Sequence, residues 1–382
     1  MEKQRIGLLI IHGIGEQDVL DTLDTFTRNL VNSLQQTSRS QIKLTHNRMP
    51  LPGNIDDYVQ LSFIDDPSVE IDVHEYYWAH KMERMISYSE VLDWLQQASN
   101  GAQTFYDENE ELSRRYEQGA DGKFKKHWYL KKVGWLFRAL HAVGRATSLI
   151  LPAWLDPILR MLLSKPAEGI IDYIGDVAIY TSSDRKSKFY QARQQVLNGA
   201  IEKIAALLRQ DYDRIVVVGH SLGTVIAYDA LNAVNLLMNE DPELAAQHDK
   251  LFELITLGSP LDKVAFFFRE HIPKDSYVKQ LILNNVHGFR RRGLVVPLEG
   301  DAELVSNVRN FLSHMQWTNY WDAQDPVSGH LDFYDNVVNV QVDNGQRWGV
   351  AHSGYWYNLN IYREVIARAQ AHEVVSADEQ AS

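Results

Sequence analysis

Cysteine is absent from all 382 residues, which excludes disulfides, thiolate metal sites and a cysteine nucleophile together. Missing as well is any uninterrupted run of about 18 apolar residues, the length a membrane-spanning helix needs. Positive charge is in short supply: 38 Lys and Arg face 50 Asp and Glu, a formal charge of −12. Nucleic-acid binding rests on cations set against phosphate, so no nucleic-acid partner is expected. Neither G-x-G-x-x-G nor a Walker sequence occurs. The glycines Gly13 and Gly15 come close, but the residue three beyond Gly15 is Asp18. In the opening "MEKQRIGLLIIHGIGEQ" the apolar run spans only Ile6 to Ile11, too short and wrongly followed for an export signal. With no cysteine and no export signal, a cytoplasmic location is expected. No internal repeat is visible.

What is present is an ordinary globular composition, 45% hydrophobic, enough to bury a large core. Three short runs are apolar without alternation: "IGLLII" (6–11), "IVVV" (215–218) and "LITL" (254–257). Such runs suit parallel strands covered by helices on both faces. Each ends in glycine and polar residues, and ligands in open α/β sheets bind beyond the carboxyl ends of the strands. The three ends are therefore expected to line one crevice. Residues 193–209 and 224–238 carry helical spacing, while 41–49, 58–64, 69–78 and 337–342 read as further strands. The fold class expected is α/β, a mostly parallel central sheet flanked by helices.

Gly219-His220-Ser221-Leu222-Gly223 follows the second of those runs and precedes a helix. Gly-x-Ser-x-Gly in a strand-turn-helix context forces the serine into a sharp elbow, its hydroxyl exposed and the elbow glycines Gly219 and Gly223 allowing tight packing. A serine hydroxyl is a weak nucleophile until a base takes its proton and a third group orients the base. On such elbows the partners follow in the order acid, then histidine. Asp325 precedes Pro326, which biases it toward an extended or turn conformation. His352 follows the strand 337–342 and a turn, and precedes an amphipathic run. Asp325 is thus the expected acid and His352 the expected base, each on a loop, with Asp322, Asp332 and Asp335 as rival acids and His314 and His330 as rival bases. The oxyanion of an acyl-transfer intermediate needs backbone donors, and the N–H groups of Ile14 and Leu222 are expected to supply them. His12 and His220, beside the glycines, are expected to be structural.

The set "IIHGIGEQ", "GHSLGTVIAYDAL", "LITLGSPL", "DAQDPVS" and "HSGYW" resembles a serine hydrolase of the α/β-hydrolase fold in its lipase-like branch. Residues 175–231 also resemble the region around the nucleophile in intracellular phospholipase A1 enzymes of the DDHD type, although the Asp-Asp-His-Asp signature of that type is absent. The resemblance implies hydrolysis of carboxylic esters of lipids through an acyl-enzyme on Ser221, with no metal and no cofactor. The hydrolase domain is expected over 1–370, a helical insertion within it over 82–168, and a flexible tail over 371–382. Two other readings stand beside it: an esterase or thioesterase for small soluble acyl substrates, and an inactive hydrolase fold used as a membrane-surface or protein-binding module. The complete Ser, Asp and His set speaks against the inactive one.

The insertion reverses the charge of the chain. Between Asp121 and Asp156 no acidic residue occurs, while Lys123, Lys125, Lys126, Lys131, Lys132, Arg138 and Arg145 do, interleaved with Trp128, Tyr129, Trp135, Phe137 and Trp154. Basic residues with large aromatics at roughly helical spacing describe a helix lying at a membrane surface. A cap packed over the crevice explains the aromatics equally well, and a lid that opens at a lipid surface would combine the two. Peripheral membrane contact through residues 122–155 is thus an expectation beside a simple cap.

Overall fold

The computed structural model describes residues 3–13, 18–37, 41–51, 54–81, 188–262, 276–289, 305–325, 328–332, 334–345 and 351–370. The expected insertion 82–168 with its basic stretch 122–155, the expected donor Ile14 and the tail 371–382 lie outside the described residues. The chain divides into two compact units, one of residues 1–80, 194–263 and 272–382, the other of 81–193 and 264–271. The described residues fall almost wholly in the first.

That unit is built on β1 (Gln4–Ile11), β2 (Ile42–Leu51), β3 (Asn54–Phe63), β4 (Val69–Tyr76), β5 (Arg214–His220), β6 (Leu251–Leu257), β7 (Gln316–Trp321) and β8 (Val337–Gln341). They form one eight-stranded sheet in the order β2-β3-β4-β1-β5-β6-β7-β8. From β4 to β8 every pairing is parallel, whereas β3 runs antiparallel to both β2 and β4. This is the α/β architecture expected, an α/β-hydrolase fold. Among the described residues the longer helices are α1 (Asp21–Thr37), α2 (Lys188–Leu208), α3 (Leu222–Glu240), α4 (Tyr277–Val286) and α5 (Leu359–Gln370).

Strand alternation sorts the core into two layers. Ile6, Leu8 and Ile10 of β1 and Val216 and Val218 of β5 share a cluster with Phe26 and Leu30 of α1 and with Tyr362, Val365 and Ile366 of α5. Helix α1 escaped the sequence reading, yet its buried Leu23, Phe26 and Leu30 recur at spacings of three and four. Helix α3 packs on β5, β1 and β6. Fourteen of its residues are buried, Thr224, Asp229, Asn232 and Asn235 among them, so the helix is enclosed on nearly all sides.

Strand β7 was also missed, because its sequence "QWTNYW" is polar where a central strand is normally apolar. The polar groups satisfy one another across the sheet. Thr318 donates to Glu253 at 2.6 Å, Thr256 to Asn319 Oδ1 at 2.9 Å, and Asn319 Nδ2 to Asn339 at 2.8 Å. A second buried polar chain ties α2 to the sheet. Lys203 pairs with Asp56, His74 bridges Asp56 and Tyr212 at 2.8 Å on each side, and Tyr212 donates to Asp72 at 2.9 Å. Burial lowers both the Lys203 ammonium and the His74 imidazole, and their carboxylate partners oppose it.

Candidate active site

The parallel register brings the carboxyl ends of β1, β5, β6 and β7 to one edge, with Ile11 opposite Gly219, Gly219 opposite Thr256 and Leu257 opposite Tyr320. Ser221 occupies the single step between β5 and α3. Its backbone stands at φ 55° and ψ −126°, a region that L residues rarely enter. The turn is held by Ser221 N–H donating to Leu257 O at 2.9 Å and by Thr224 Oγ1 donating to Ser221 O at 2.7 Å. Ser259 Oγ lies 2.8 Å from Thr224 Oγ1, which fastens the elbow to the loop after β6.

The elbow glycines are required by close approach. A Cβ on Gly219 would stand 2.6 Å from Thr224 Cα, and one on Gly223 would run into the carbonyl oxygens of Ile11 and His12. Two further glycines line the site. A Cβ on Gly13 would come within 2.6 Å of Ser221 Cβ, so the chain leaving β1 lies directly against the serine. Gly258, at φ +62°, makes room for the imidazole: a Cβ there would be 3.2 Å from His352 Cε1 and 2.9 Å from Tyr355. The sequence reading placed Gly258 at a strand end but gave it no part in the site.

Ser221, His352 and Asp325 come together although up to 131 residues separate them. Ser221 Oγ–H donates to His352 Nε2 at 2.8 Å, and His352 Nδ1–H donates to Asp325 Oδ2 at 2.9 Å. Asp325 follows β7 on a loop, as expected. His352 sits in the helical turn Ala351–Gly354 rather than on an open loop, and that turn leads into α5. Asp325 is buried and its carboxylate takes a second donor, the Tyr355 hydroxyl at 3.0 Å. With its one proton used there, Tyr355 Oη accepts from Asp322 N–H at 2.9 Å and from Ser328 Oγ–H at 2.9 Å. Burial and the adjacent Asp325 charge push the phenol far above its usual value, so it stays a donor. Tyr355 is the residue that sequence reasoning missed, and the signal was its place three residues after His352 on a helical turn.

The rival acids and bases make contacts of their own, by side chain at Asp322, His314 and His330 and by backbone N–H at Asp332 and Asp335. Asp322 builds the turn, accepting from Gln324 N–H at 2.8 Å and Asn344 N–H at 2.8 Å. The Asp332 N–H meets Asp262 at 2.6 Å, and the Asp335 N–H meets Phe289 O at 2.8 Å. His314 donates to Leu251 O at 3.0 Å, at the opposite end of β6, and His330 stacks edgewise on Trp321.

Two histidines outside the trio shape its surroundings. His220 donates from Nε2 to the His352 carbonyl at 2.9 Å, and burial lowers it to about 3. It stays neutral beside His352, so no like charge opposes an imidazolium there. His12 donates from Nδ1 to Gly13 O at 2.6 Å, accepts from Trp78 N–H at 3.2 Å, and stacks on the Trp78 ring with 4° between the planes. Burial lowers His12 to about 4, so it too stays neutral. Its bond fixes the carbonyl of Gly13 beside Ser221. Leu222, the first residue of α3, has no acceptor for its N–H within the helix, and the positive end of the helix dipole lies at the same point.

Comparison with known proteins touches part of this architecture. Residues 183–280 match the PGAP1-like alpha/beta domain, a stretch that holds β5, Ser221, α3 and β6 but neither Asp325 nor His352. Over 85 residues the chain is 40% identical to Phospholipase A1-II 7 of Oryza sativa subsp. indica. That alignment covers 22% of this chain and 20% of the relative. Neither match names the DDHD type. No solved structure matches the chain. Among the described residues no helix is long and apolar enough to cross a membrane.

Proposed function

We propose that this chain is a serine hydrolase that cleaves carboxylic esters of lipids through an acyl-enzyme on Ser221. The observation that carries the proposal is the continuous hydrogen-bonded line from Ser221 Oγ through His352 to the buried Asp325 carboxylate, on a strained elbow at the carboxyl edge of the sheet. In the first step the Ser221 hydroxyl proton passes to His352 Nε2 while Oγ attacks the ester carbonyl carbon. The carbonyl π electrons move onto oxygen, and the Leu222 and Ile14 N–H groups hold that oxyanion. Collapse breaks the ester C–O bond, and His352 gives its proton to the leaving alkoxide. Water then repeats the sequence with His352 as base, which frees the carboxylic acid and restores Ser221.

Asp325 orients His352 and balances the imidazolium, while Tyr355 positions Asp325. Ile14 is offered as the second donor because it follows Gly13, which packs against Ser221 and is pinned by His12. No step calls on a cofactor. The lipid class of substrate draws on the two matches, to a PGAP1-like domain and to a phospholipase A1. Peripheral membrane contact through residues 122–155 would bring such a substrate to the site.

The test is labelling with a fluorophosphonate probe, followed by hydrolysis of p-nitrophenyl esters from short to long chain. Labelling of the parent, none of Ser221→Ala, and turnover that rises with acyl length are expected. Equal labelling of a folded Ser221→Ala variant overturns the mechanism. Efficient turnover confined to short soluble esters replaces the lipid substrate with a small acyl one.

A further inference from the structure

At the opposite edge of the sheet from Ser221, His248 and Asp249 precede β6 and His314 precedes β7. One ligand atom from each of the three lies within 4.8 Å of the others. Their hydrogen bonds decide which nitrogens are available. His248 Nδ1 lies 2.9 Å from Ala245 O, and His314 Nε2 lies 3.0 Å from Leu251 O. A carbonyl oxygen can only accept, so each of these nitrogens carries a proton. In the neutral rings the lone pairs are then on His248 Nε2 and His314 Nδ1. Anchoring one ring nitrogen on a backbone carbonyl, with the other presented as a base, is the arrangement that orients histidine toward a metal.

A cation at this point would complete the set. His248 Nε2 stands 3.2 Å from Asp249 Oδ1, a contact that holds as an ion pair when the ring carries a second proton and that a metal ion would replace. Lys250 does not serve, because its ammonium donates to Leu208 O at 3.2 Å and Gln210 O at 2.7 Å. Phe311 walls one side, its ring set edgewise 5.4 Å from His248, while Asp249 is 83% exposed and free to swing. Two imidazoles and a carboxylate, with one position left for water, suit four-coordinate Zn²⁺. Ligands around Zn²⁺ at about 2.0 Å stand about 3.3 Å apart, within reach of an Asp249 rotamer change.

We propose that His248, Asp249 and His314 form a surface site for a borderline divalent ion of the Zn²⁺ type. The ion would staple the segment before β6 to the segment before β7. Strand β6 has 7 residues, so the site lies roughly 20 Å from the reacting groups and is structural.

Isothermal titration of the dialysed full-length chain with ZnCl₂ tests this, with His314→Ala, His248→Ala and Asp249→Asn alongside. The parent is expected to bind one equivalent that each variant loses or binds roughly a hundredfold more weakly, a loss of the size that accompanies damage to a metal-histidine set. Cobalt in place of zinc should give the visible absorption of a tetrahedral site in the parent and none in His314→Ala. Ester hydrolysis should be equal in all four proteins. The proposal is overturned if the parent binds no Zn²⁺ at millimolar concentration, or if Asp249→Asn and His314→Ala both bind it as the parent does. All three side chains are at the surface, so the variants should fold.

Discussion

Ser221 stands in a backbone conformation, φ 55° and ψ −126°, that glycine enters freely and a residue with a Cβ enters at a cost of about 1–3 kcal/mol. Two substitutions separate that strain from the chemistry. Ser221→Ala and Ser221→Gly both remove the hydroxyl and its 2.8 Å bond to His352, and both should lower kcat by about 10³ to 10⁶. They differ only in the Cβ. At an unstrained buried position, Ala to Gly would destabilise by about 1.5 kcal/mol, roughly half from the freedom glycine gains in the unfolded chain and half from one buried carbon lost. At Ser221, which is 1% exposed, relief of about 2 kcal/mol of strain should cancel that loss. Ser221→Gly is therefore expected to equal or exceed Ser221→Ala in stability by about 0.5 kcal/mol. Urea unfolding of the two variants under one set of conditions measures the difference. A glycine variant weaker by the ordinary 1.5 kcal/mol would refute the reading of Ser221 as strained, and with it the idea that the fold carries a local cost to aim the hydroxyl.

The remaining expectations concern the other parts of the site and the residues beyond it. Asp325→Asn should lower kcat by as much as about 10⁴, far more than Asp322→Asn, because only Asp325 meets His352; a larger loss for Asp322→Asn in steady-state assays would reverse the assignment. Tyr355→Phe removes a charge-assisted bond to Asp325 and should cost about 1.5–3 kcal/mol of stability by denaturant titration, whereas a neutral result would remove Tyr355 from its positioning role. Burial holds His220 at about 3 and His12 at about 4 against 6.5 unfolded, so the unfolded chain takes up protons first, and their contribution is intact above pH 6.5 and is lost as pH falls toward 4 and then 3. By pH 4.5 each should cost about 2–3 kcal/mol, and because Glu75, raised to about 7, acts in the opposite sense, the readout is His220→Gln against the parent, with the unfolding free energy of the variant falling less steeply as pH drops. If residues 122–155 meet a lipid surface, co-sedimentation with anionic vesicles should fall with salt and with Lys125, Lys126, Lys131 and Lys132 changed to Gln, each cation contributing about 1 kcal/mol near the surface; absence of binding at low salt would leave the stretch a cap.

The sequence by itself determined the parts whose cause is local. Short runs apolar on both faces, each closed by glycine and polar residues, suit central parallel strands, and β1, β5 and β6 follow from them. Small residues around a serine after such a strand announce the elbow, because Gly219 and Gly223 are needed wherever the chain packs that tightly. The order of Asp325 and His352 was legible because a residue before proline and a residue beyond a strand and turn both belong near strand ends.

Tertiary structure decided the rest, because the deciding contacts join segments far apart in the chain. Among four nearby aspartates, the register of β7 on β6 and the helical turn at Ala351–Gly354 select Asp325 and leave Asp322 to close a turn. Strand β7 hid from the apolar search because Thr318 and Asn319 find their partners only on β6 and β8. Lys203 and His74 are polar positions that composition would send to the surface, and only Asp56 and Tyr212, brought from other elements, make their burial possible. Tyr355 and Gly258 belong to the same class: both lie inside stretches that carry the resemblance, "HSGYW" and "LITLGSPL", yet each acquires its part only when β6, β7 and the turn after β8 converge on one carboxylate.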